Sequence, residues 1–136
     1  MSIWEAALAS AQEPITGVCT FPIIHEFPKV HGLHGHELPS AAPYGGFDTG
    51  QVIVRVINVE TGASVTVSSN GPIFGSDDGT ELGRGQIVWF LDHDTVGIPQ
   101  GAWLVDGVTH VVRDASGEVV VAKGGRIRRD ICAELA

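Results

Sequence analysis

Residues 51–68 read QVIVRVINVETGASVTVS, and this stretch decides the fold class. From Gln51 to Val59, Val52, Val54 and Val56 alternate with Ile53, Arg55 and Ile57, the period of two that sends successive side chains to opposite faces of a strand. Glu60-Thr61-Gly62 supplies a turn, and Ala63 to Ser68 resumes as a second strand. Outward from this hairpin, a Gly/Asp-rich segment from Asn70 to Gly85 separates it from Gln86-Ile87-Val88-Trp89-Phe90-Leu91, which reads as a buried strand. Ala102 to Val105 and Val108 to Arg113 flank Asp106-Gly107, a dipeptide suited to the positive φ values of a type I′ turn, and are predicted to form a hairpin. Ala115-Ser116-Gly117 predicts one more turn, into Glu118 to Ala122. With 18 glycines and 7 prolines to punctuate them, these runs predict a mainly β chain. The expected architecture is a small antiparallel β-barrel or sandwich of five to seven strands, with a short N-terminal helix and a long irregular loop.

The helix is expected at the start. Ser2 and Glu5 have capping-box spacing, Ile3, Trp4, Ala7, Leu8 and Ala11 form one apolar stripe, and Pro14 ends the segment. Such a short helix is marginal alone and must dock on something. Ile15 to Ile24 is rich in β-branched residues and reads as a strand broken by Pro22. From Glu26 to Gly50 neither period appears, and Pro28, Pro39, Pro43, Gly32, Gly35, Gly45 and Gly46 mark it as a loop long enough to be a binding element or interface arm. The expected organisation is therefore a helix over 1–14, a strand and extended His/Pro/Gly-rich interface arm over 15–50, a barrel core over 51–123 and a basic tip over 124–136.

At 136 residues, 43% hydrophobic and 18% charged, the chain is sized for one self-supporting core. No apolar run approaches the roughly 20 residues of a membrane-spanning helix. The N-terminus has neither the basic region nor the apolar region of a secretory signal, so synthesis in a cytoplasm is expected. Eight bases against 16 acids give a net charge of −8, which disfavours a general nucleic-acid-binding role. The charge is uneven: residues 1–122 hold only Lys29, Arg55, Arg84 and Arg113 against 14 acids, while Lys123, Arg126, Arg128 and Arg129 outnumber Asp130 and Glu134 at the end. Cys19 and Cys132 lie near opposite ends and match no metal spacing, so they read as two buried thiols of a reducing compartment.

The sharpest candidate for chemistry is His31-Gly32-Leu33-His34-Gly35-His36-Glu37, with His25-Glu26 upstream. Imidazoles and carboxylates at this density are the donor types for zinc, making His25, His31, His34 and His36 candidate metal ligands. The bland alternative is a histidine-rich interfacial loop, and two intervening glycines favour it. A His-x-His pair feeding a barrel also suggests the cupin pattern, but Ser40 and Ala41 stand where that pattern needs a carboxylate. Asp92-His93-Asp94 could orient a general base, yet no nucleophile is tied to it, and an acidic turn is the simpler reading. Asp77-Asp78-Gly79-Thr80-Glu81 lacks calcium-loop spacing, and Gly83-Arg84-Gly85 lacks the parts of a phosphate cradle. No catalytic residue and no cofactor is assigned.

The order of elements is more informative than any motif. Ile3-Trp4-Glu5-Ala6-Ala7-Leu8-Ala9-Ser10-Ala11 at the start and Ile98 to Asp114, with Gly101, Gly107, His110 and Val112 in the hairpin, resemble head-tail joining (neck or stopper) proteins of long-tailed bacteriophages of the phage lambda type. The resemblance covers the last third and the first dozen residues. It implies a non-enzymatic virion protein, assembled in the host cytoplasm. Its partners would be identical subunits in a ring and neighbouring head-tail connector or tail proteins; DNA would pass nearby without being specifically bound, and no membrane is involved. An acidic lining suits that role, because it repels phosphates and lets the polymer slide. The residues expected at interfaces are Trp4, Leu8, His31, His34, His36, Tyr44, Phe47, Arg126, Arg128 and Arg129. The alternative is a small metal-binding β-barrel, possibly an enzyme, using His31, His34 and His36.

Overall fold

The computed structural model describes residues 13–39, 42, 44–76 and 78–136. The expected helix over 1–14, with Trp4 and Leu8, lies almost wholly outside the described residues. The chain is mainly β, as its alternation predicts. The strands are β1 (Ile23–Glu37), β2 (Gly46–Asn58), β3 (Ser64–Gly75), β4 (Thr80–Leu91), β5 (Gly101–Arg113), β6 (Val119–Lys123) and β7 (Arg126–Asp130), followed by one short helix, α1 (Ile131–Leu135). They form one antiparallel sheet in the order β1-β2-β3-β4-β5-β6. β7 pairs with the first half of β5 on the same side on which β6 pairs with its second half. β1 and β6 do not pair, so the sheet is not a closed barrel.

The hairpin of residues 51–68 forms as read, with β2 and β3 in continuous register from Gly46↔Gly75 to Ile57↔Ser64. Its turn works through Asn58, whose Oδ1 accepts from the Glu60 N–H, and through Gly62 at φ +78°. The Ala115-Ser116-Gly117 turn also forms: Asp114 Oδ1 accepts from the backbone N–H groups of Ser116 and Glu118.

Elsewhere the structure corrects the sequence reading. The expected loop from Glu26 to Gly50 is instead mostly strand, the greater part of β1 and the first residues of β2. Its period is hidden by two register shifts, between Glu26 and Lys29 and between His31 and His34, each of which reverses the alternation. Pro28 sits in the first of these, on the sheet's outer strand, where a missing N–H costs no ladder bond. The strand expected from Ile15 is a bent segment joined to β1 by a single Ile15–Ile23 bridge. The Gly/Asp-rich segment from Asn70 to Gly85 is the meeting of β3 and β4 around a tight turn. There Asp78 Oδ1 accepts from Ser76 Oγ at 2.5 Å, Thr80 Oγ1 at 2.6 Å and Thr80 N at 3.0 Å.

Asp106-Gly107 is not a turn: β5 continues through it. Gly107 (φ +104°) lies opposite Gly85 (φ +91°), so the positive φ values serve a paired kink in β4 and β5. The kink must be sharp. Thirteen residues of straight strand would span roughly 40 Å. Yet Leu91 pairs with Gly101 at one end of β5. Two residues on, His93 Nε2 lies 2.6 Å from the carbonyl of Val119, itself opposite Arg113 at the other end.

The fold also separates β3 from β4. Their ladder ends after Ile73↔Gly83, and the gap is bridged by side chains: Ser69 Oγ donates to the Gln86 carbonyl, and Asn70 Oδ1 accepts from the Gln86 N–H. Apolar residues of the separated strands fill one core, including Val52, Val54, Val56, Val65, Val67, Ile87, Trp89, Leu91, Leu104 and Val105. The last residues seal it. Asp130 caps α1 by accepting from the Ala133 N–H, Ile131 and Leu135 are buried, and buried Asn58 donates to the Leu135 carbonyl at 3.0 Å. The basic segment expected to be a tip is thus strand and sealing helix.

The reading of two separate buried thiols is overturned. Cys19 and Cys132 form a disulfide with Cα atoms 5.4 Å apart, and both are only partly buried. Their separation of 113 residues gave no hint, because it is the sheet topology that carries the bent segment before β1 to α1.

Candidate functional site

The register assembles one face that no local motif announces. His36 pairs with Phe47, Phe47 with Phe74, Phe74 with Leu82, Leu82 with His110 and His110 with Lys123. Directly opposed residues share a face of a sheet, so these six side chains form a row across six strands. The rings touch where the register says they should: His36 stacks on Phe47 with centroids 4.6 Å apart, Phe47 lies 5.2 Å from Phe74, and Tyr44 folds in to 5.8 Å from Phe74. His34, 6.4 Å from His36, extends the row. Two residues along, Thr49↔Pro72 and Arg84↔Val108 form the next row of the same face. The rows on either side of the first point the other way: Ile73, Gly83 and Thr109 on one side and Val111 and Ala122 on the other are buried in the core. Phe47, Phe74 and Leu82 are only half-buried, and Val108 is exposed.

Of the residues expected at interfaces, His34, His36, Tyr44 and Phe47 come together here. Phe74, Leu82, Arg84, Val108 and His110 complete the face and were missed, since they belong to three strands distant in sequence and only the register joins them. His31 pairs with Gln51 and lies across a register shift from His34. Arg126, Arg128 and Arg129 stand on β7, against the first half of β5, away from His110 in its second half. Arg129 is held by Glu134 at 2.6 Å, which lowers the pKa of that carboxyl, while Arg126 and Arg128 are exposed.

The histidines do not gather round a common point. His25 is buried between the rings of Phe27 and Phe90, at 5.4 and 5.1 Å, while His36 is committed to Phe47. Among the described residues, no group of three or more His, Cys, Asp or Glu side chains is placed to hold a metal ion.

Asp92-His93-Asp94 is also committed internally. His93 Nδ1 lies 2.6 Å from Asp92 Oδ1 and Nε2 lies 2.6 Å from the Val119 carbonyl. Both partners are acceptors, so the arrangement favours the doubly protonated ring. The Asp92 carboxylate first, then the Val119 carbonyl, raise the pKa of His93. A ring tied at both nitrogens is a clamp holding residues 92–98 along β6, where Val96 bridges Val121, and is not presented to a substrate. Asp94 Oδ1 likewise caps the Gln100 N–H. In the turn between β3 and β4, hydrogen bonds from the Ser76 and Thr80 hydroxyls hold the Asp78 carboxyl down at about 2.

Beside the disulfide lies an open depression of about 630 Å³, lined by Val18, Cys19, Phe21, Trp103 and Cys132, with Asp130 at its edge. Several of the polar groups around it serve the fold: Trp103 Nε1 donates to the Pro99 carbonyl, Asp94 accepts from the Gln100 N–H, and Asp130 caps α1. Among the described residues no helix is long and apolar enough to cross a membrane. Comparison with known proteins finds no matching family, no similar curated protein and no similar solved structure.

Proposed function

We propose that this protein is a non-enzymatic structural subunit that joins identical copies into a ring, in the phage neck or tail role that its sequence resemblance implies. The observation that carries the reading is the aromatic row from exposed His36 through half-buried Phe47, Phe74 and Leu82, continuous across four strands. Apolar area of this kind, set in a face with polar margins, is typical of surfaces that meet another protein. Two further features agree with it. The titratable groups nearest to catalytic patterns, His93 and Asp78, are consumed by the fold's own hydrogen bonds. The Cys19–Cys132 disulfide suits a particle that leaves the reducing cytoplasm, since disulfides persist on virion surfaces. A channel lined by a chain of net charge −8 lets DNA pass without gripping it.

Mass photometry of the full chain with its disulfide intact tests the reading. A closed ring of about six or twelve copies is expected, consistent with closed cyclic symmetry. A monomer at every concentration tried overturns it.

A further inference from the structure

The aromatic face has a charge character opposite to that of the molecule. The two rows that compose it contain Arg84, Lys123, His34, His36 and His110 and not one of the chain's 16 acids. Arg84 and Lys123 are exposed, and the ion pairs among the described residues use other bases: Arg55, His93, Arg113 and Arg129. The segment of residues 92–98 that lies along β6, together with the β5–β6 turn, is the reverse. Asp114 and Glu118 close the β5–β6 turn, and the charges of Glu118 and Asp92 both act on His93, so these carboxylates crowd one spot, with Asp94 next in the chain. The acidic edge and β1, which carries His34 and His36, are opposite ends of the same sheet.

We propose that the aromatic face docks on the acidic edge of a second copy of this chain, with Asp92, Asp94, Asp114 and Glu118 of one subunit set against the imidazoles, Arg84 and Lys123 of the next. Charge complementarity argues for this occupant: a cationic, apolar face on a protein of net charge −8 finds its match in the rest of the same protein. The contact is head-to-tail, because the two surfaces lie on different parts of each subunit. Such contacts repeat from copy to copy, and form a ring when the rotation between copies closes. The inference rests on the self-assembly reading above and specifies the surfaces that reading leaves open.

The test uses two variants of the full chain, each checked for an unchanged circular dichroism spectrum and melting temperature. Arg84→Glu with Lys123→Glu reverses the face. Asp114→Asn with Glu118→Lys reverses the edge while keeping an acceptor in the turn. Each pair is expected to weaken self-association by about tenfold or more, as charge reversal at complementary surfaces does. Mixed one to one, the two variants are expected to form heterodimers, because one contributes an intact edge and the other an intact face. A wild-type assembly unchanged by both pairs, or variants that stay apart on mixing, overturns this docking mode and leaves the ring reading standing. A monomeric wild-type protein overturns both. Binding of single-stranded DNA to the Phe47–Phe74 face without self-association would overturn the choice of a second copy as occupant.

Discussion

Strand β2 passes through two different environments, and the contrast explains the molecule. From Val52 to Asn58 every second residue is buried, with Ile53, Arg55 and Ile57 half-exposed between them. From Gly46 to Gly50 every residue is half-buried. The first pattern belongs to a strand with one face sealed in a core, here closed by α1 and the disulfide. The second belongs to an arm whose outer face is covered by its own aromatic rings and nothing else described. One region is stabilised by the chain itself, and the other presents apolar surface that the chain does not use.

The largest effect that separates the two regions is loss of the disulfide. Cys19 and Cys132 close a loop of 113 residues, and by the chain-entropy account opening it costs about 4–5 kcal/mol. Reduction, or Cys19→Ser with Cys132→Ser, should lower the melting temperature steeply, and hydrogen exchange should report the loss first around α1. Equal loss of protection in the arm would erase the contrast. Next in size, Leu135→Ala, at a site with 1% exposure, is expected to cost about 3 kcal/mol in chemical denaturation. A single Phe47→Ser on the arm should cost only about 1 kcal/mol. In self-association the order reverses, with Phe47→Ser damaging and Leu135→Ala neutral in whatever fraction stays folded.

The bend is testable on a smaller scale. A Cβ added at Gly107 meets no atom within 4 Å, so Gly107→Ala isolates the conformational cost of φ +104°, about 1–2 kcal/mol. A cost near zero would mean that β5 does not need its kink. The smallest effect is the pH dependence of the His93 clamp. Its pKa is raised on folding by the Asp92 carboxylate, so the clamp's contribution is complete below the ordinary histidine value of about 6.5 and is lost as pH rises through the raised value. Exchange of the Ala122 amide, bonded to the Val96 carbonyl, should quicken over that window, and His93→Gln should remove the dependence.

How much of this was legible in sequence follows from the same contrast. The inner half announced itself, because residues 51–58 and 64–69 alternate without interruption and Glu60-Thr61-Gly62 offers only a turn. The arm did not, because two register shifts break its period and its prolines and glycines imitate a loop. Asp106-Gly107 misled for a related reason: positive φ at a glycine serves a kink as well as a turn, and the difference lies in whether Gly85 stands across from it. Half of the candidate face was visible as His34, His36, Tyr44 and Phe47 in one stretch. Phe74, Leu82 and His110 were not, since pairing between distant strands leaves no local trace. The disulfide was invisible for the same reason.

The central claim is that the outer face of the arm is built for a neighbouring subunit while the core end stands alone. Sedimentation equilibrium of the wild-type chain beside Phe47→Ser/Phe74→Ser tests it most directly. The account predicts a discrete oligomer for the wild type and a folded monomer, with its disulfide intact, for the variant. Identical oligomeric states for the two proteins would contradict it.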